Sequence, residues 1–247
     1  MLIYIITVLI SLLIAFLCGS IPVALVIGKS MRGLDVREHG SGNAGSTNAI
    51  RVLGLGPGLL VFVGDVLKGA IGCVLVTVAT GLVIYMASTS AIEEAIILTQ
   101  GSTEVLEFDP IIPILASEYS SMLLEIPQAL AIIATILGHM FSPFMGFKGG
   151  KGVATALGSI GVVLPFAAIC ALSLFFVVVL ISRYVSLGSI IAVISVPIFT
   201  ALFYPSPTYL VFTILVALVV VWAHRKNLGR LYRKEEPKFS LPKKEKE

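Results

Sequence analysis

The sequence predicts an all-α integral membrane protein with seven transmembrane helices, its N-terminus outside and its C-terminus in the cytoplasm. Of its 247 residues, 57% are hydrophobic and only 13% are charged, and the mean hydropathy is +1.03. That composition excludes a soluble globular chain and a nucleic-acid-binding protein. Apolar stretches long enough to cross a bilayer recur along the chain, and the basic residues can all be placed on one side of the membrane.

Seven apolar stretches define the candidate spans. They are residues 1–27, 59–87, 123–145, 152–164, 165–182, 187–204 and 207–224. The first has no basic residue before Lys29, so it lacks the basic start of a cleaved signal peptide, and we expect a retained helix. Only the region around Gly161 and Pro165 separates the fourth and fifth stretches, which could instead form one kinked or re-entrant pair.

The charges select seven spans from the numbers that hydropathy alone allows. With seven, all seventeen Lys and Arg residues fall on one side, which the positive-inside rule identifies as the cytoplasm. The opposite side receives an acidic insertion at about 87–125 that contains no Lys or Arg. We expect residues 1–230 to form a single transmembrane domain and residues 231–247 a charged cytoplasmic tail, disordered from Glu235 onward.

The first cytoplasmic loop is rich in groups that bind phosphate. Between His39 and Arg51 it contains three glycines, two asparagines and several hydroxyl side chains. Glycines let backbone N–H groups approach a ligand, hydroxyl and amide groups add donors, and an arginine can bind phosphate through two N–H groups. A flexible linker is the alternative, although it requires neither asparagines nor an arginine. The candidate residues are Ser41, Gly42, Asn43, Asn48 and Arg51.

The second loop, residues 138–155, places glycines and two lysines directly before an apolar helix. A helix N-terminus offers unpaired N–H groups and a positive dipole end, which suits a phosphate. The spacing of a Walker A loop is absent and no strand precedes the segment, so the pattern favours phosphate binding without nucleotide hydrolysis. Lysines that anchor helix ends at lipid headgroups are the alternative. The candidate residues are Lys148, Gly149, Gly150, Lys151 and Gly152.

Two shorter polar motifs lie on the same side. Ser186 and Ser189 stand at the start of the sixth stretch. His224, Asn227 and Arg230 follow the last stretch at spacing i, i+3, i+6, so they would share one face of a helix. Membrane anchoring explains the cations of this segment about as well as ligand binding does.

The remaining polar and sulfur-containing residues suggest structural roles. Asp65 and Lys68 lie three residues apart near the inner end of the second stretch, where we expect them to pair with each other or with polar loop groups. The three cysteines, Cys18, Cys73 and Cys170, occupy apolar runs without CxxC spacing, so we expect packing residues. The histidines match no metal-binding motif, and no metal or cofactor is predicted.

Four of these segments, in this order, resemble the bacterial membrane-integral acyl-phosphate:glycerol-3-phosphate acyltransferases, the PlsY family. They are residues 41–51, residues 138–139 with 147–155, residues 186–189, and the pattern His224-x-x-Asn227-x-x-Arg230-Leu. The resemblance implies a seven-helix enzyme of the bacterial inner membrane that transfers a fatty acyl group from acyl phosphate to the 1-hydroxyl of glycerol 3-phosphate. Lysophosphatidic acid and inorganic phosphate are the implied products.

The resemblance also implies roles for individual residues. Catalytic roles fall on Ser41, Arg51, Lys151, His224 and Asn227; substrate-binding roles fall on Gly42, Asn43, Asn48, Lys148, Gly149, Gly150, Gly152, Ser186 and Ser189. A family glutamate near the C-terminus corresponds to Glu235 or Glu236. The chain departs from the family at Ser46, where alanine is common, and in the length of the acidic insertion, which leaves the outer architecture open.

A mechanistic hypothesis follows from these assignments. The loop at 149–152 holds the acyl phosphate, and Arg51 holds glycerol 3-phosphate. Ser41 acts as a donor or positioner, because no His–Asp pair is visible near it to activate a nucleophile. His224 is the candidate general base, with the substrate's own phosphate as competitor. The expected partners are the two substrates and membrane lipids, with no nucleic acid, and the oligomeric state is open.

Two other classes of function remain as alternatives at this stage. A transporter or channel for an anionic solute would place polar groups near the middle of several helices. Here the polar signals lie at one surface, as expected for an enzyme with one soluble and one membrane-dissolved substrate. A different membrane transferase for phosphorylated lipid headgroups is disfavoured only by the two long motifs.

Overall fold

The computed structural model describes the backbone of residues 1–100 and 111–239 and the side chains of residues 1–89 and 121–239. All regular secondary structure in this part of the chain is helical. The helices are α1 (Leu2–Ser20), α2 (Val23–Arg32), α3 (Ser46–Leu53), α4 (Leu55–Gln100), α5 (Ile111–Met140), a short 3-10 helix (Pro143–Met145), α6 (Val153–Val163), α7 (Pro165–Ser182), α8 (Val185–Phe203), α9 (Pro207–Ala223) and α10 (Arg225–Tyr232).

Five segments of the described chain are long and apolar enough to cross a membrane. They are Leu2–Arg32, Leu55–Thr89, Ser121–Met145, Pro165–Ser182 and Val185–Phe203. A sixth candidate is formed by α9 and α10 together, which are bent by 60° relative to each other. The predicted class, an all-α integral membrane protein, is therefore confirmed, while the count of seven spans and the orientation of the termini remain predictions.

The difference in count comes from α6, which corresponds to the predicted span 152–164. Its 11 residues extend about 16 Å at a rise of 1.5 Å per residue, roughly half the thickness of a bilayer core. Leu164 separates α6 from α7, whose first residue is Pro165. Proline suits this position because its fixed φ is helical and its missing N–H would have no partner there.

Parts of the acidic insertion belong to two long helices, α4 and α5. The backbone of α4 is helical through Gln100, well beyond the predicted end of the second span, and α5 begins at Ile111. Most residues of the predicted acidic insertion at about 87–125 have side chains that lie outside the described part. Glu125 is described, and its Oε2 accepts a 2.5 Å hydrogen bond from the Ser206 hydroxyl before α9.

Small and β-branched side chains form the buried core between α1, α4, α5 and α6. Representative members are Ala15, Cys73, Val76, Ile132 and Ile160. All three cysteines are free thiols, and the predicted packing role is confirmed for Cys73, which is fully buried in this core. Lipid tails are as apolar as these side chains, so helix association here depends on close packing rather than on the hydrophobic effect.

The packing of α6 against α4 is closest at two glycines. A Cβ atom on Gly158 would overlap the carbonyl of Val66, and a Cβ on Gly69 would overlap the carbonyl of Thr155. Because the two backbones touch, α6 has little freedom to slide along α4. This contact fixes the start of α6, and with it the glycine-rich segment that precedes the helix.

Candidate functional site

A cavity of about 790 Å³ lies where the two glycine-rich loops meet the ends of α6 to α10 that lie on the same side of the fold. Every site residue predicted from the sequence lines it: Ser41, Gly42, Asn43, Asn48, Arg51, Lys148, Gly149, Gly150, Lys151, Gly152, Ser186, Ser189, His224 and Asn227. The structure thus brings together side chains that are up to 186 positions apart in the sequence (Ser41 to Asn227, 227 − 41).

The cavity has a polar end and an apolar end. The two loops and α10 form the polar end, and the apolar end continues between α6, α7 and α8. Its apolar walls include Leu157, Ile160, Ala168, Ala171, Phe175, Val193 and Val196. This shape fits a molecule with a charged head and a hydrocarbon chain.

Asn48 shapes the first loop through hydrogen bonds to its backbone. The side chain is buried, its Oδ1 accepts a 2.8 Å hydrogen bond from the N–H of Ser41, and its Nδ2 donates to the carbonyls of Val36 at 2.7 Å and His39 at 3.1 Å. We expected Asn48 to bind substrate, but its donors are engaged by the loop itself. Its contribution is to hold Ser41 at the cavity.

Arg37 joins the first loop to the second. Its guanidinium pairs with Asp35 at 2.7 Å and also donates a 3.0 Å hydrogen bond to the carbonyl of Met145. The hydrogen bond from Arg37 lowers the pKa of the Asp35 carboxyl, so the pair stays charged. The two loops are therefore linked outside the cavity as well as around it.

Residues 148–152 of the second loop are called the phosphate loop below. The N–H of Gly149 donates to the carbonyl of Met140 at 3.0 Å, and Gly152 has a φ of +81° as the N-cap of α6, a conformation that glycine adopts without strain. Among the described residues, the N–H groups of Gly150, Lys151 and Gly152 have no backbone acceptor. Together with the first turn of α6, they form a set of donors suited to an anion.

Lys151 is half-buried and belongs to a hydrogen-bond network with the C-terminal segment. Its Nζ donates to the Oδ1 of Asn227, and Asn227 in turn donates 2.6 Å from Nδ2 to Glu236. Burial lowers the pKa of Lys151 to about 8, with Glu236 opposing this effect and nearby Arg230 and Arg51 adding to it. Lys151 is thus a cation that an incoming phosphate would stabilise.

Of the two C-terminal glutamates, Glu236 rather than Glu235 lines the cavity. Arg230 Nε donates to its Oε2 at 2.7 Å, whereas Glu235 pairs with Arg233 in a largely exposed position. Burial opposes the ionisation of Glu236, but its hydrogen bonds from Asn227 and Arg230 outweigh burial and lower its pKa below the usual value. The sequence alone left these two glutamates undistinguished.

Part of the predicted tail folds against the cavity. Glu236, Pro237 and Phe239 line it, and the N–H of Phe239 donates to the carbonyl of Arg183 at 2.7 Å. We expected disorder from Glu235 onward. The hydrogen bonds to Glu236 and this backbone contact explain why residues 236–239 pack instead; residues 240–247 lie outside the described part.

The orientation of His224 is set by its own helix. The residue caps α9 and is buried, and its Nδ1 lies 2.8 Å from the carbonyl of Val220. Because a carbonyl can only accept, Nδ1 carries the proton, and in the neutral ring Nε2 is an acceptor. A hydroxyl group that entered the cavity near this ring could therefore donate to Nε2.

Two further cations at the polar end have no carboxylate partner. Within the described part of the chain, no Asp or Glu oxygen lies within ion-pair distance of Arg51 or Lys148. Lys148 is exposed and Arg51 is half-buried. The polar end therefore carries excess positive charge, which favours anionic ligands. Ser189 lies deeper, where its hydroxyl donates to the carbonyl of Val185 at 2.9 Å.

Two cavity residues, His139 and Asp65, were not among the predicted site residues. His139 Nδ1 lies 3.5 Å from Asp65 Oδ1, and Asp65 also pairs with Lys68 at 2.8 Å, which confirms the expected Asp65–Lys68 pair. No His–Asp pair near Ser41 is visible in the sequence, yet this one lines the same cavity. The two residues are 74 positions apart (139 − 65), and the only sequence signal was a carboxylate inside an apolar run.

Comparison with known proteins identifies similar chains over almost the whole length. The family model described as glycerol-3-phosphate acyltransferase matches residues 9–234. The glycerol-3-phosphate acyltransferase of Geobacillus kaustophilus is 36% identical over 231 residues, which is 94% of this chain and 95% of the relative. That of Bacillus subtilis is 36% identical over 228 residues, or 92% and 95% of the two chains.

Two crystal structures are similar in fold. Both are of PlsY (YgiH), an integral membrane glycerol 3-phosphate acyltransferase, one in a glycerol 3-phosphate form and one in a lysophosphatidic acid form. The first has a TM-score of 0.73 at 33% identity and covers 94% of this chain and 96% of its own. The second has a TM-score of 0.71 at the same identity.

Proposed function

The chain belongs to the glycerol-3-phosphate acyltransferase family, and we propose that it transfers a fatty acyl group from acyl phosphate to the 1-hydroxyl of glycerol 3-phosphate. In this reaction the hydroxyl oxygen forms an ester bond with the acyl carbon while the bond from that carbon to the phosphate oxygen breaks. The hydroxyl proton leaves to a base, and the products are lysophosphatidic acid and inorganic phosphate. This is the first acylation step of phospholipid synthesis.

One observation carries the proposal: a single cavity combines an electropositive, donor-rich end with an apolar end between helices. Acyl phosphate requires both ends, and glycerol 3-phosphate requires only the first. A transporter for an anionic solute would instead need polar groups along a path through the membrane. The polar groups of this cavity are concentrated at one end, which favours the transferase.

We assign the acyl phosphate to the phosphate loop. The backbone N–H groups of Gly150 and Gly152 and the side chain of Lys151 surround the position at which the phosphate would lie at the start of α6. They would neutralise the charge that grows on the phosphate as it departs, and such preorganised donors act most strongly where charge develops. The acyl chain would extend along Ile160 toward Ala171 in the apolar end.

We assign glycerol 3-phosphate to the cations without carboxylate partners. Arg51 would bind its phosphate, with Lys148 and Asn227 as further contacts, and the glycerol would extend toward the acyl carbon. A charge-assisted hydrogen bond contributes about 1.5 to 3 kcal/mol. Loss of one such contact in the transition state should therefore lower kcat/KM by about one to two orders of magnitude.

The proton and the oxyanion have separate candidates. His224 Nε2 is the acceptor for the 1-hydroxyl proton, unless the substrate's own phosphate removes it. Ser41, Gly42 and Asn43 lie on the first loop, where a hydroxyl or N–H group could donate to the acyl oxygen. Acyl phosphate is already activated, so positioning and charge stabilisation are sufficient and no metal or cofactor enters the scheme.

The donor is tested with purified protein in lipid vesicles. Labelled glycerol 3-phosphate is supplied with palmitoyl phosphate or with palmitoyl-CoA, and labelled lysophosphatidic acid and free phosphate are measured. We expect product from palmitoyl phosphate alone. Product from palmitoyl-CoA alone would retain an acyltransferase but refute the donor, and no product from either would favour the transporter.

We also propose seven membrane crossings, an outer N-terminus and a cytoplasmic site in the bacterial inner membrane. The segregation of the basic residues supports this arrangement. Single cysteines would be introduced at Lys226 and at Ser88 in a chain whose native cysteines are changed to serine or alanine. An impermeant thiol reagent applied to intact spheroplasts should label position 88 and not position 226. The opposite pattern would reverse the topology.

A further inference from the structure

A buried polar cluster lies behind the phosphate loop and connects three parts of the fold. Lys68 Nζ donates to the carbonyl of Ile21 at 2.9 Å and pairs with Asp65 at 2.8 Å, and Asp65 faces His139 Nδ1 at 3.5 Å. Asp65, Lys68 and His139 are only 2%, 4% and 3% exposed. The ion pair explains how two charges are tolerated inside the protein, but it does not explain why a histidine also lies beside Asp65.

The other side of His139 is in contact with the phosphate loop. A Cβ atom on Gly149 would overlap the carbonyl of His139, and a Cβ on Gly150 would overlap its Nε2. The same Cβ on Gly150 would also lie 3.1 Å from the carbonyl of Ala44 in the first loop. The phosphate loop is therefore packed between the imidazole ring and the first loop, with no space for a side chain at either glycine.

We propose that His139 is a positioning residue for the acyl-phosphate site, held by Asp65 and Lys68 and supporting the backbone of Gly149 and Gly150. The inference rests on the proposed function, because it assumes that this loop binds the phosphate of the acyl donor. A loop of glycines has many accessible conformations, and donors stabilise a developing charge only while they are held in place. The ring restricts the loop to the conformation in which its N–H groups face the cavity.

The proposal predicts a split between the two substrates. Without the support of His139, the loop loses its alignment and the KM for acyl phosphate should rise. Arg51 and Lys148, assigned to glycerol 3-phosphate, do not contact His139, so the KM for that substrate should change little. Small displacements of positioning groups lower kcat/KM by up to about a hundredfold, and we expect an increase of about tenfold or more in the KM for acyl phosphate.

Two substitutions of His139 separate support of the loop from the contact with Asp65. The amide of His139→Asn can reach the position of Nδ1 and so retain the contact with Asp65, but it leaves a gap beside Gly150. The longer His139→Gln places its amide near the position of Nε2 and fills that gap. We expect the KM for palmitoyl phosphate to rise in His139→Asn and to return most of the way to the wild-type value in His139→Gln.

A double substitution tests the role of Asp65. Asp65→Leu alone leaves a buried unpaired lysine, which destabilises the fold by itself. Asp65→Leu with Lys68→Met removes both charges, and buried ion pairs often tolerate such replacement. The double variant should unfold near the wild-type temperature and still show the raised KM for palmitoyl phosphate, because the ring of His139 is no longer held.

Thr80→Val serves as the control, because it changes another buried polar group of α4 whose hydroxyl donates only to its own helix. It should leave both KM values unchanged. An unchanged KM for palmitoyl phosphate in His139→Asn or in the double variant would overturn the proposal, as would equal increases in both KM values. Wild-type protein that makes no product from palmitoyl phosphate would instead refute the proposed function.

Discussion

The charge on Lys151 should destabilise the folded protein. Replacing this lysine should therefore increase stability while it abolishes activity. The side chain is half-buried, and its loss of solvent contact lowers its pKa from 10.5 to about 8. At pH 7 the folded protein nonetheless holds the proton. We therefore predict that Lys151→Met raises the free energy of unfolding and abolishes acyl transfer.

The size of the effect follows from the pKa. Each pKa unit corresponds to about 1.4 kcal/mol, so the protonated lysine costs the folded state roughly 3 kcal/mol relative to the unfolded chain. Methionine removes this cost but leaves the Oδ1 of Asn227 without its donor, a loss of about 1 kcal/mol. The net gain of roughly 2 kcal/mol corresponds to an increase in Tm of about 4 to 8 °C for a chain of this size.

The pH dependence of stability provides a second, independent test of the prediction. Below pH 8 both states hold the proton and the cost is constant. Between about pH 8 and pH 10.5 the folded chain releases a proton that the unfolded chain retains, so the wild-type protein gains stability as pH rises. The Tm difference between the variant and the wild type should therefore shrink across this interval.

The assay is thermal unfolding in one detergent at a fixed scan rate, from pH 7 to pH 10, beside acyl transfer measured at pH 7. Lys148→Met is the matched control, because Lys148 is exposed and its replacement should leave the Tm unchanged. A variant Tm at or below the wild-type value at pH 7 would refute the reasoning, as would a Tm difference that does not change with pH.

Four further predictions concern the cavity. Arg51→Ala should lower kcat/KM for glycerol 3-phosphate by about one to two orders of magnitude, with partial recovery in Arg51→Lys, as measured by steady-state kinetics. His224→Ala should lower kcat by about two orders of magnitude if Nε2 is the base; near-full turnover would transfer that role to the substrate phosphate. Ser41→Ala should lower kcat without changing the KM for palmitoyl phosphate, and unchanged turnover would remove both roles given to this serine. Glu236→Gln should lower the pKa of Lys151 further, because Glu236 favours its protonated form, and should therefore move the alkaline limit of the activity profile to lower pH.

Hydropathy predicted where the apolar helices lie but not how each one ends. The boundary between residues 164 and 165 was correct, since an apolar run followed by proline determines a helix start locally. The bounds of α6 were predicted to within one residue at each end, but its 11 residues are fewer than the roughly 20 that a full transmembrane helix needs. The helical extension of α4 to Gln100 was also missed, since residues 88–100 mix acidic, polar and apolar side chains and continue no apolar run.

The candidate site was predicted better than the fold because its signals are local in sequence. Loops rich in glycine, amide and cationic groups carry an identifiable phosphate-binding composition, and all the residues chosen from them line one cavity. The contact between His139 and Asp65 was missed because it depends on how α5 packs against α4. The choice between Glu235 and Glu236 depended in the same way on the position of Arg230 after the bend at His224.

The irregular parts of the fold and the site have the same physical origin. In a bilayer, backbone that is not helical must find its hydrogen-bond partners inside the protein or in a water-filled cavity. Residues 33–45 and 141–152, two segments that leave the helical pattern, both contribute to the cavity, and the 60° bend after α9 falls at His224, which also lines it. A phosphate needs unpaired N–H groups, and these are available only where a helix begins or a loop turns. Under the proposed function, the start of α6 therefore serves the chemistry, because the N-terminus of this helix brings such donors to the cavity.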